Sequence, residues 1–277
     1  MKDILIDGVL DTLKLLPYLL LTFMILEFIE HKVSNKSKKI LVNNKKYGPI
    51  LGGLLGGLPQ CGFGVVASNL FSSKVITMGT VIAVFLSTSD EMLPIMLSEK
   101  TSVGTILKIV GFKILVGIII GFIIDLFIKN DDKIEVKEVC EKEHCHCNHE
   151  NLFVSSIKHT LKIGLFILIA NLVINIVIFN IGEDKLSNLL INKKIVTYFV
   201  ASLIGLIPNC ASSVIITELY LSKLITIGTL LSGLLTGCGL GLLVLFRTNK
   251  NLKENIIVLS IIYFVGVLIG LLVDMII

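Results

Sequence analysis

Eight apolar stretches dominate the sequence, and each is at least 22 residues long. They cover residues 9–30, 48–72, 75–97, 104–128, 157–179, 195–221, 224–246 and 256–277. A helix needs roughly 20 largely apolar residues to cross a bilayer, so every stretch is long enough to cross. With 54% hydrophobic and only 17% charged residues, a water-soluble domain would lack the polar surface it needs. The sequence therefore predicts an all-α polytopic membrane protein and argues against cytosolic enzymes and nucleic-acid-binding proteins.

The second four stretches repeat the first four at an offset of 149 residues, which places Pro59 on Pro208. Without a gap, residues 68–80 fall on residues 217–229, and seven of these thirteen positions are identical. Internal duplication is typical of secondary transporters, whose substrate site lies between the halves. We therefore expect a first transmembrane repeat, a polar linker rich in His and Cys, and a second transmembrane repeat, covering residues 1–128, 129–156 and 157–277.

The stretches 48–72 and 195–221 decide whether the two repeats are parallel or inverted. Each has a proline near its middle, which removes a backbone donor and clashes with the preceding turn. If each stretch is one kinked crossing helix, the halves are parallel and Lys and Arg divide at best 14 to 10 between the two faces. If each is a re-entrant hairpin, the halves are inverted and the division becomes 16 to 8. Because Lys and Arg concentrate in cytoplasmic loops, we favour inverted repeats, each with three spanning helices plus a broken or re-entrant helix pair.

Amide and thiol side chains follow each proline. These are Gln60 and Cys61 in the first repeat, and Asn209 and Cys210 in the second. Polar groups at bilayer depth are costly and are functional candidates by default, and half-helix ends at such breaks direct backbone dipoles at one point in the midplane. We expect these four residues in a metal-binding transport site. The alternative is a kink whose polar side chains only satisfy the freed backbone groups.

A polar run interrupts the apolar stretch 75–97 and contributes Ser87, Ser89, Asp90 and Glu91 to the predicted metal site. Two adjacent carboxylates near hydrocarbon repel each other unless one is protonated or a cation lies between them. A proton-coupled cation site requires such groups. The alternative is that the run lies at the membrane interface and its acids face water.

The second repeat has lost this acidic pair and has Gly-Cys-Gly in its place, which adds Cys238 to the candidate metal ligands. The site must then be asymmetric. Lys113 lies within another apolar stretch and could pair with Asp90 or Glu91, taking the place of the cation when the site is empty. The alternative is that the Lys113 side chain extends to the nearer interface. We assign proton coupling to Asp90, Glu91 and Lys113.

The linker carries a separate signal, because three of the six cysteines and three of the five histidines fall within ten residues. Thiolate and imidazole together form a ligand set for borderline-soft cations such as Zn²⁺. The spacing fits no closed zinc finger, so we predict an open chelating strand; a disulfide loop or a chance cluster is the alternative. The predicted ligands are Cys140, His144, Cys145, His146, Cys147 and His149.

The motifs resemble those of a known family. They are Pro59-Gln60-Cys61-Gly62, Ser87-Thr88-Ser89-Asp90-Glu91 and Ile207-Pro208-Asn209-Cys210. These three motifs are similar to motifs of the ten-transmembrane heavy-metal exporters, a family related to the arsenic permeases. Some members of the exporter family are named manganese transporters. The resemblance covers nearly the whole chain, including the linker. It implies export of a metal or metalloid through the inner membrane, and ten segments agree with counting each proline-containing stretch as two helices.

These observations predict a secondary transporter that exports a heavy or transition metal ion. Carboxylate, hydroxyl and amide oxygens suit Mn²⁺, whereas the thiols suit arsenite, Zn²⁺ or Cd²⁺, so a soft-metal or arsenite permease is the alternative and a membrane-embedded enzyme or metal sensor a remote one. No G-x-x-x-x-G-K-[ST] motif for nucleotide binding is present. We expect no catalytic activity, no tightly bound cofactor, no cleaved signal peptide, and a multi-pass position in the plasma or inner membrane. The metal ion and lipid are the expected partners, with no nucleic acid; a homo-oligomer is compatible with the sequence.

Overall fold

A computed structural model describes residues 47–58, 62–89, 92–128 and 195–276, together with scattered positions between 13 and 24 and between 157 and 173. The regular structure of the four continuous segments is entirely helical. The first half contributes five helices, α1 (Gly48–Gly56), α2 (Gly62–Ser72), α3 (Met78–Ser87), α4 (Met92–Ser98) and α5 (Val103–Phe127). The second half contributes α6 (Val196–Gly205), α7 (Cys210–Leu221), α8 (Ile227–Thr236), α9 (Leu240–Thr248) and α10 (Leu252–Ile276).

The described part of the chain contains four segments long and apolar enough to cross a membrane. Two of them are the 25-residue helices α5 and α10, and two are the broken pairs α3–α4 and α8–α9. The remaining helices are too short to cross, since nine to twelve residues rise only about 14–18 Å. The all-helical, multi-pass architecture expected from the sequence is therefore present in the segments that the structure describes.

The duplication seen in the sequence is also a duplication of packing. Each helix from α1 to α5 has an equivalent among α6 to α10. When two helices of the first half pack together, their equivalents in the second half also pack together. Thus α3 packs between α1 and α5, as α8 packs between α6 and α10. The two halves meet where α3 contacts α8, and where α2 packs on α9 and α4 on α7.

The structure differs from the sequence prediction in the stretches 75–97 and 224–246, which were each expected to form one spanning helix. Helix α3 ends at Ser87, and Thr88 is extended with ψ 128°. The Ser87 and Thr88 hydroxyls donate to carbonyl oxygens of the preceding turn, a bond that competes with helical geometry. In the second half the break falls at Gly239, whose φ of 53° favours glycine.

Helices α1 and α2 run in opposite directions. Along α1, Gly48 lies against Thr80 and Gly56 lies against Ser87, so α1 runs parallel to α3. Near the start of α2, Gly64 lies against Phe85 at the end of α3, and only five residues separate the end of α2 from the start of α3, so α2 runs antiparallel to α3. Helices α1 and α2 of the stretch 48–72 therefore lie antiparallel to each other.

Small residues allow α3 to approach α5 closely. A Cβ atom built on Gly79 would lie 2.1 Å from the Gly121 carbonyl oxygen, which is too close for any side chain. Asp125 of α5 then caps the start of α3: its Oδ1 accepts from the Gly79 N–H at 2.8 Å and its Oδ2 accepts from the Thr77 hydroxyl at 2.6 Å. The close glycine contact thus comes with a cap from Asp125, a role that the sequence did not predict.

The second half repeats this arrangement. A Cβ atom on Gly228 would lie 2.2 Å from the Gly270 carbonyl oxygen. Asp274 Oδ1 accepts from the Gly228 N–H at 2.8 Å, and Asp274 Oδ2 accepts from the Tyr198 hydroxyl at 2.8 Å and from the Thr226 hydroxyl. In each half, a carboxylate of the long helix thus lies beside the close glycine contact. It accepts a hydrogen bond from a backbone N–H at the start of the broken helix, where such groups lack a partner within the helix.

Candidate transport site

A small cavity lies where the breaks of the two halves meet. Its volume is about 20 Å³, and since one water molecule needs roughly 10–15 Å³, it has room for about one water-sized species. The lining comes from the α3–α4, α6–α7 and α8–α9 breaks and the helices beside them: Thr88, Ser89, Met92, Asn209, Ser212, Ser213, Leu234, Gly237 and Gly239. The structure therefore brings Ser89 and Asn209, two predicted site residues from different halves, to one cavity.

Helix ends surround this cavity. Helices α3 and α8 end beside it, whereas α4, α7 and α9 begin there. The last turn of a helix presents carbonyl oxygens and the first turn presents N–H groups, so both signs of the helix dipole are available. A cation would be favoured at the carbonyl ends, with hydroxyl and amide oxygens completing its coordination.

Asn209 serves two purposes at this position. Its backbone is extended, and its side-chain oxygen accepts from the Ala211 N–H at 2.9 Å, which caps α7. The Ser212 hydroxyl donates to the Asn209 carbonyl oxygen at 2.8 Å. The capping role considered as the alternative from sequence is therefore present, and the same residue also lines the cavity.

The two serines of the polar run differ in their surroundings. The Ser89 hydroxyl donates to the Ser87 carbonyl oxygen at 3.1 Å, and Ser89 lines the cavity although it is only 1% exposed. Ser87 is fully buried, and its hydroxyl donates to the carbonyl oxygens of Ala83 and Val84 in its own helix. Ser89 is thus in position to contact a bound ion, whereas Ser87 terminates α3.

Cys238 lies in the α8–α9 break and is buried. Its neighbours Gly237 and Gly239 line the cavity. Cys238 itself belongs to the apolar cluster formed with Phe85 and Leu242. This arrangement resembles the packing of a small hydrophobic residue, which is how buried cysteine commonly behaves.

Lys113 of α5 is fully buried, although lysine is among the residues least often buried. Its Nζ donates to the carbonyl oxygen of Thr88, at the end of α3. The side chain therefore points to the α3–α4 break instead of extending to the membrane interface. The equivalent position in the second half is Ile262, which is also fully buried, so the positive charge is specific to the first half.

Several predicted site residues lie outside the residues that the structure describes. They are Gln60, Cys61, Asp90 and Glu91, the side chain of Cys210, and the whole set of linker ligands Cys140, His144, Cys145, His146, Cys147 and His149. Among the described residues, no group of three His, Cys, Asp or Glu side chains could hold a metal ion. The cavity lined by Ser89 and Asn209 is therefore the part of the predicted site that can be located.

Sequence reasoning did not identify Met92 and Leu234 as cavity residues. Both lie in apolar helices, and no local signal separates an apolar residue at a site from one in the core. It also passed over Gly239, although a Gly-x-Gly run in an apolar stretch is a signal for a backbone break. The sequence does indicate Ser212 and Ser213, because they follow Asn209 and Cys210 at the second proline break.

Comparison with known proteins agrees with this architecture. The ArsP_2 family, described as "Putative, 10TM heavy-metal exporter", matches residues 1–193, which is 193 of the 277 residues. No curated protein and no solved structure matches the chain. The match spans the predicted first repeat, the predicted linker and the start of the predicted second repeat, and it agrees with several apolar helices of membrane-crossing length. The chain therefore belongs to the family of 10TM heavy-metal exporters and is a multi-pass membrane transporter.

Proposed function

We propose that this protein is a secondary transporter that exports a divalent metal ion of the Mn²⁺ type. The observation that carries the proposal is the cavity between the breaks of the two halves. Four of the residues that line it carry hydroxyl groups and one carries an amide, α3 and α8 end beside it, and oxygen ligands suit Mn²⁺. A site at the interface of two duplicated halves, made by discontinuous helices, is typical of secondary transporters.

The two halves are proposed to be inverted, with α1–α2 and α6–α7 as re-entrant hairpins. Parallel halves with four crossings each would put Lys74 and Glu254 on opposite faces of the membrane. Their side chains form an ion pair with an N–O distance of 2.7 Å. Three crossings per half put both residues on one face, which supports the inverted arrangement. That face is also the one expected to be cytosolic from the Lys and Arg distribution.

Coupling to protons is proposed to depend on Asp90, Glu91 and Lys113. Lys113 supports this role because its ammonium is buried beside the break that is continuous with the acidic pair. A positive charge at this depth is costly without compensation. We propose that the carboxylates provide this compensation when no metal is bound, and that the metal ion displaces Lys113 from them.

The linker is proposed to collect metal ions on the cytosolic face and to assist transport without being part of the membrane site. Its predicted ligands are Cys140, His144, Cys145, His146, Cys147 and His149, a mixed thiolate and imidazole set. Replacing all six is expected to weaken apparent affinity while some transport remains. Complete loss of transport would show that the linker is essential.

A soft-metal or arsenite permease is the second candidate. It would use Cys61, Cys210 and Cys238 as thiolate ligands. The burial of Cys238 in the α8–α9 break is the observation in its favour. Its packing in an apolar cluster favours the oxygen-based site. We propose no catalytic function and place the protein in the plasma or inner membrane.

The deciding experiment measures cellular metal content with and without the protein, after exposure to Mn, Zn, Cd, Fe or arsenite. We expect lower Mn in cells that contain the protein. Lower Zn, Cd or arsenic with unchanged Mn would support the second candidate instead. Unchanged content for all five would contradict export of any of them. A variant with Asn substituted at Asp90 and Gln at Glu91 serves as the inactive control.

A further inference from the structure

Polar contacts join α2 to α9. They extend from the helix breaks beside the cavity to the membrane face on which Lys74 lies. Beside the breaks, the Ser68 hydroxyl donates to the Gly241 carbonyl oxygen at 2.7 Å. About one turn further, the hydroxyls of Ser72 and Thr248 form a hydrogen bond of 2.6 Å. We call the interface formed by these two hydrogen bonds, Ser68–Gly241 and Ser72–Thr248, the α2–α9 seam. It joins residues of the two halves.

An ion pair closes the outer end of the α2–α9 seam. Lys74 Nζ donates to both carboxylate oxygens of Glu254, at 2.7 and 2.8 Å. The Asn249 side-chain amide donates to the same carboxylate at 3.1 Å. Each side chain of the pair is about one-fifth exposed, at 20% and 22%. The seam is therefore covered at this end by one charged contact between the halves.

The equivalent contact between α4 and α7 is built differently. The positions of Ser72 and Gly241 are taken there by Leu221 and Met92. Met92 and Met96 are fully buried in an apolar cluster with Ile216. A polar seam and an apolar seam thus occupy equivalent places on opposite sides of the cavity.

A buried donor lies beside the polar seam. Among the described residues, the Asn69 side-chain nitrogen is the buried side-chain polar atom without a hydrogen-bond partner, and Asn69 is only 3% exposed. Asn69 lies on α2 between Val65 and Ser72, about one turn from each. Both of these neighbours contact α9, so Asn69 is on the side of α2 that faces α9. An unsatisfied buried donor is destabilising, and hydration of this region would satisfy it. A metal ion entering the cavity from this face also needs a hydrated path.

We propose that the α2–α9 seam is the cytosolic gate of the transporter and that the Lys74–Glu254 pair holds it closed. This inference rests on the proposed function, since it assigns the face from which cargo reaches the cavity. Opening separates α2 from α9, lets water reach Asn69 and Ser68, and connects the cavity to the cytosol. The α4–α7 seam stays closed in that state, because its apolar contacts do not gain from hydration.

The test measures the rate at which a membrane-impermeant thiol reagent, added from the cytosolic side, labels Ser68→Cys. Labelling of the parent protein provides the background from native cysteines. Lys74→Gln and Glu254→Gln are each expected to raise the rate about two- to fivefold, the scale of a partly exposed ion pair. The double variant should match the single variants, because both remove the same contact. Thr217→Cys, the equivalent residue in α7, is the matched control and should keep its rate.

Three results would overturn the gate: unchanged labelling in both single variants, additive increases in the double variant, or an equal increase at Thr217→Cys, which would mean general loosening. Metal flux of the parent protein is measured in the same vesicles. A parent that moves no metal refutes the exporter, whereas failure of the labelling pattern with normal flux refutes the gate alone.

Discussion

At the scale of single residues, the asymmetry between Lys113 and Ile262 is the most informative feature. The two positions are equivalent in the duplicated halves and both are fully buried. One carries an ammonium that donates to the Thr88 carbonyl oxygen at the end of α3. A cation at a helix C-terminus is electrostatically favourable, yet an apolar residue fills the same place in the second half. Structure alone does not require a charge here, which points to a role in transport.

Lys113→Met is predicted to reduce metal flux about tenfold or more, equivalent to at least ~1.4 kcal/mol. The reason is that the site would lose the charge proposed to exchange with the metal ion. Ile262→Met is the matched control and should retain near-normal flux. Flux is measured in vesicles at several pH values. A Lys113→Met protein with unchanged flux and unchanged pH dependence would contradict the coupling role.

At the scale of secondary structure, close glycine contacts position the broken helices. Gly79 of α3 and Gly228 of α8 each meet a glycine carbonyl of the neighbouring long helix. These contacts set the depth of α3 and α8, and hence the place of the breaks that line the cavity. A side chain at either position would have to displace backbone atoms, which the packed core does not allow without strain.

Gly79→Ala is predicted to destabilise the protein by about 1–3 kcal/mol, as overpacking typically does. Gly111→Ala in α5 is the control, because a Cβ atom there has nothing within 4 Å. Thermal unfolding of the purified protein in detergent measures the difference. We expect a lower midpoint for Gly79→Ala and an unchanged or slightly higher one for Gly111→Ala. Equal midpoints would contradict the packing account.

The element scale also shows what sequence can and cannot predict. Apolar length and the proline motifs predicted the helices and the broken stretches at 48–72 and 195–221, because both signals are local. The breaks near Ser89 and Gly239 were not expected, since the apolar length of each stretch hid a short polar or glycine-rich interruption. The cavity brings together residues more than 100 positions apart, such as Ser89 and Asn209, and a single sequence does not show which distant residues meet.

At the scale of the whole molecule, the two halves pack in the same way but contribute different side chains to the cavity between them. The packing partners of α1 to α5 are repeated by α6 to α10. Lys113 and the acidic pair, in contrast, occur in the first half without an equivalent in the second, and the polar α2–α9 seam has an apolar counterpart between α4 and α7. A duplicated scaffold is typical of transporters in which one repeat rocks against the other around a fixed site. The different side chains of the two halves make the two ends of the proposed transport path chemically different.

The proposed topology predicts the accessibility of three single-cysteine positions, at Asn43, Lys100 and Lys137. Cysteines at 43 and 137 should react from the cytosolic side, and a cysteine at 100 should react from the opposite side. The distinction depends on 43, because parallel halves would place it on the face opposite 137. Labelling in oriented vesicles measures this, with normal flux as the condition for including a variant. Opposite reactivity at 43 and 137 would reject the inverted arrangement.

The most direct measurement is Mn²⁺ flux in proteoliposomes under an imposed pH gradient, for the wild-type protein and for Asp90→Asn with Glu91→Gln. We predict that the gradient drives Mn²⁺ movement by the wild type and that the double variant has lost this flux while remaining folded, as judged by an unchanged thermal midpoint. A folded double variant with wild-type flux, or a wild type whose flux ignores the gradient, would contradict proton-coupled metal export.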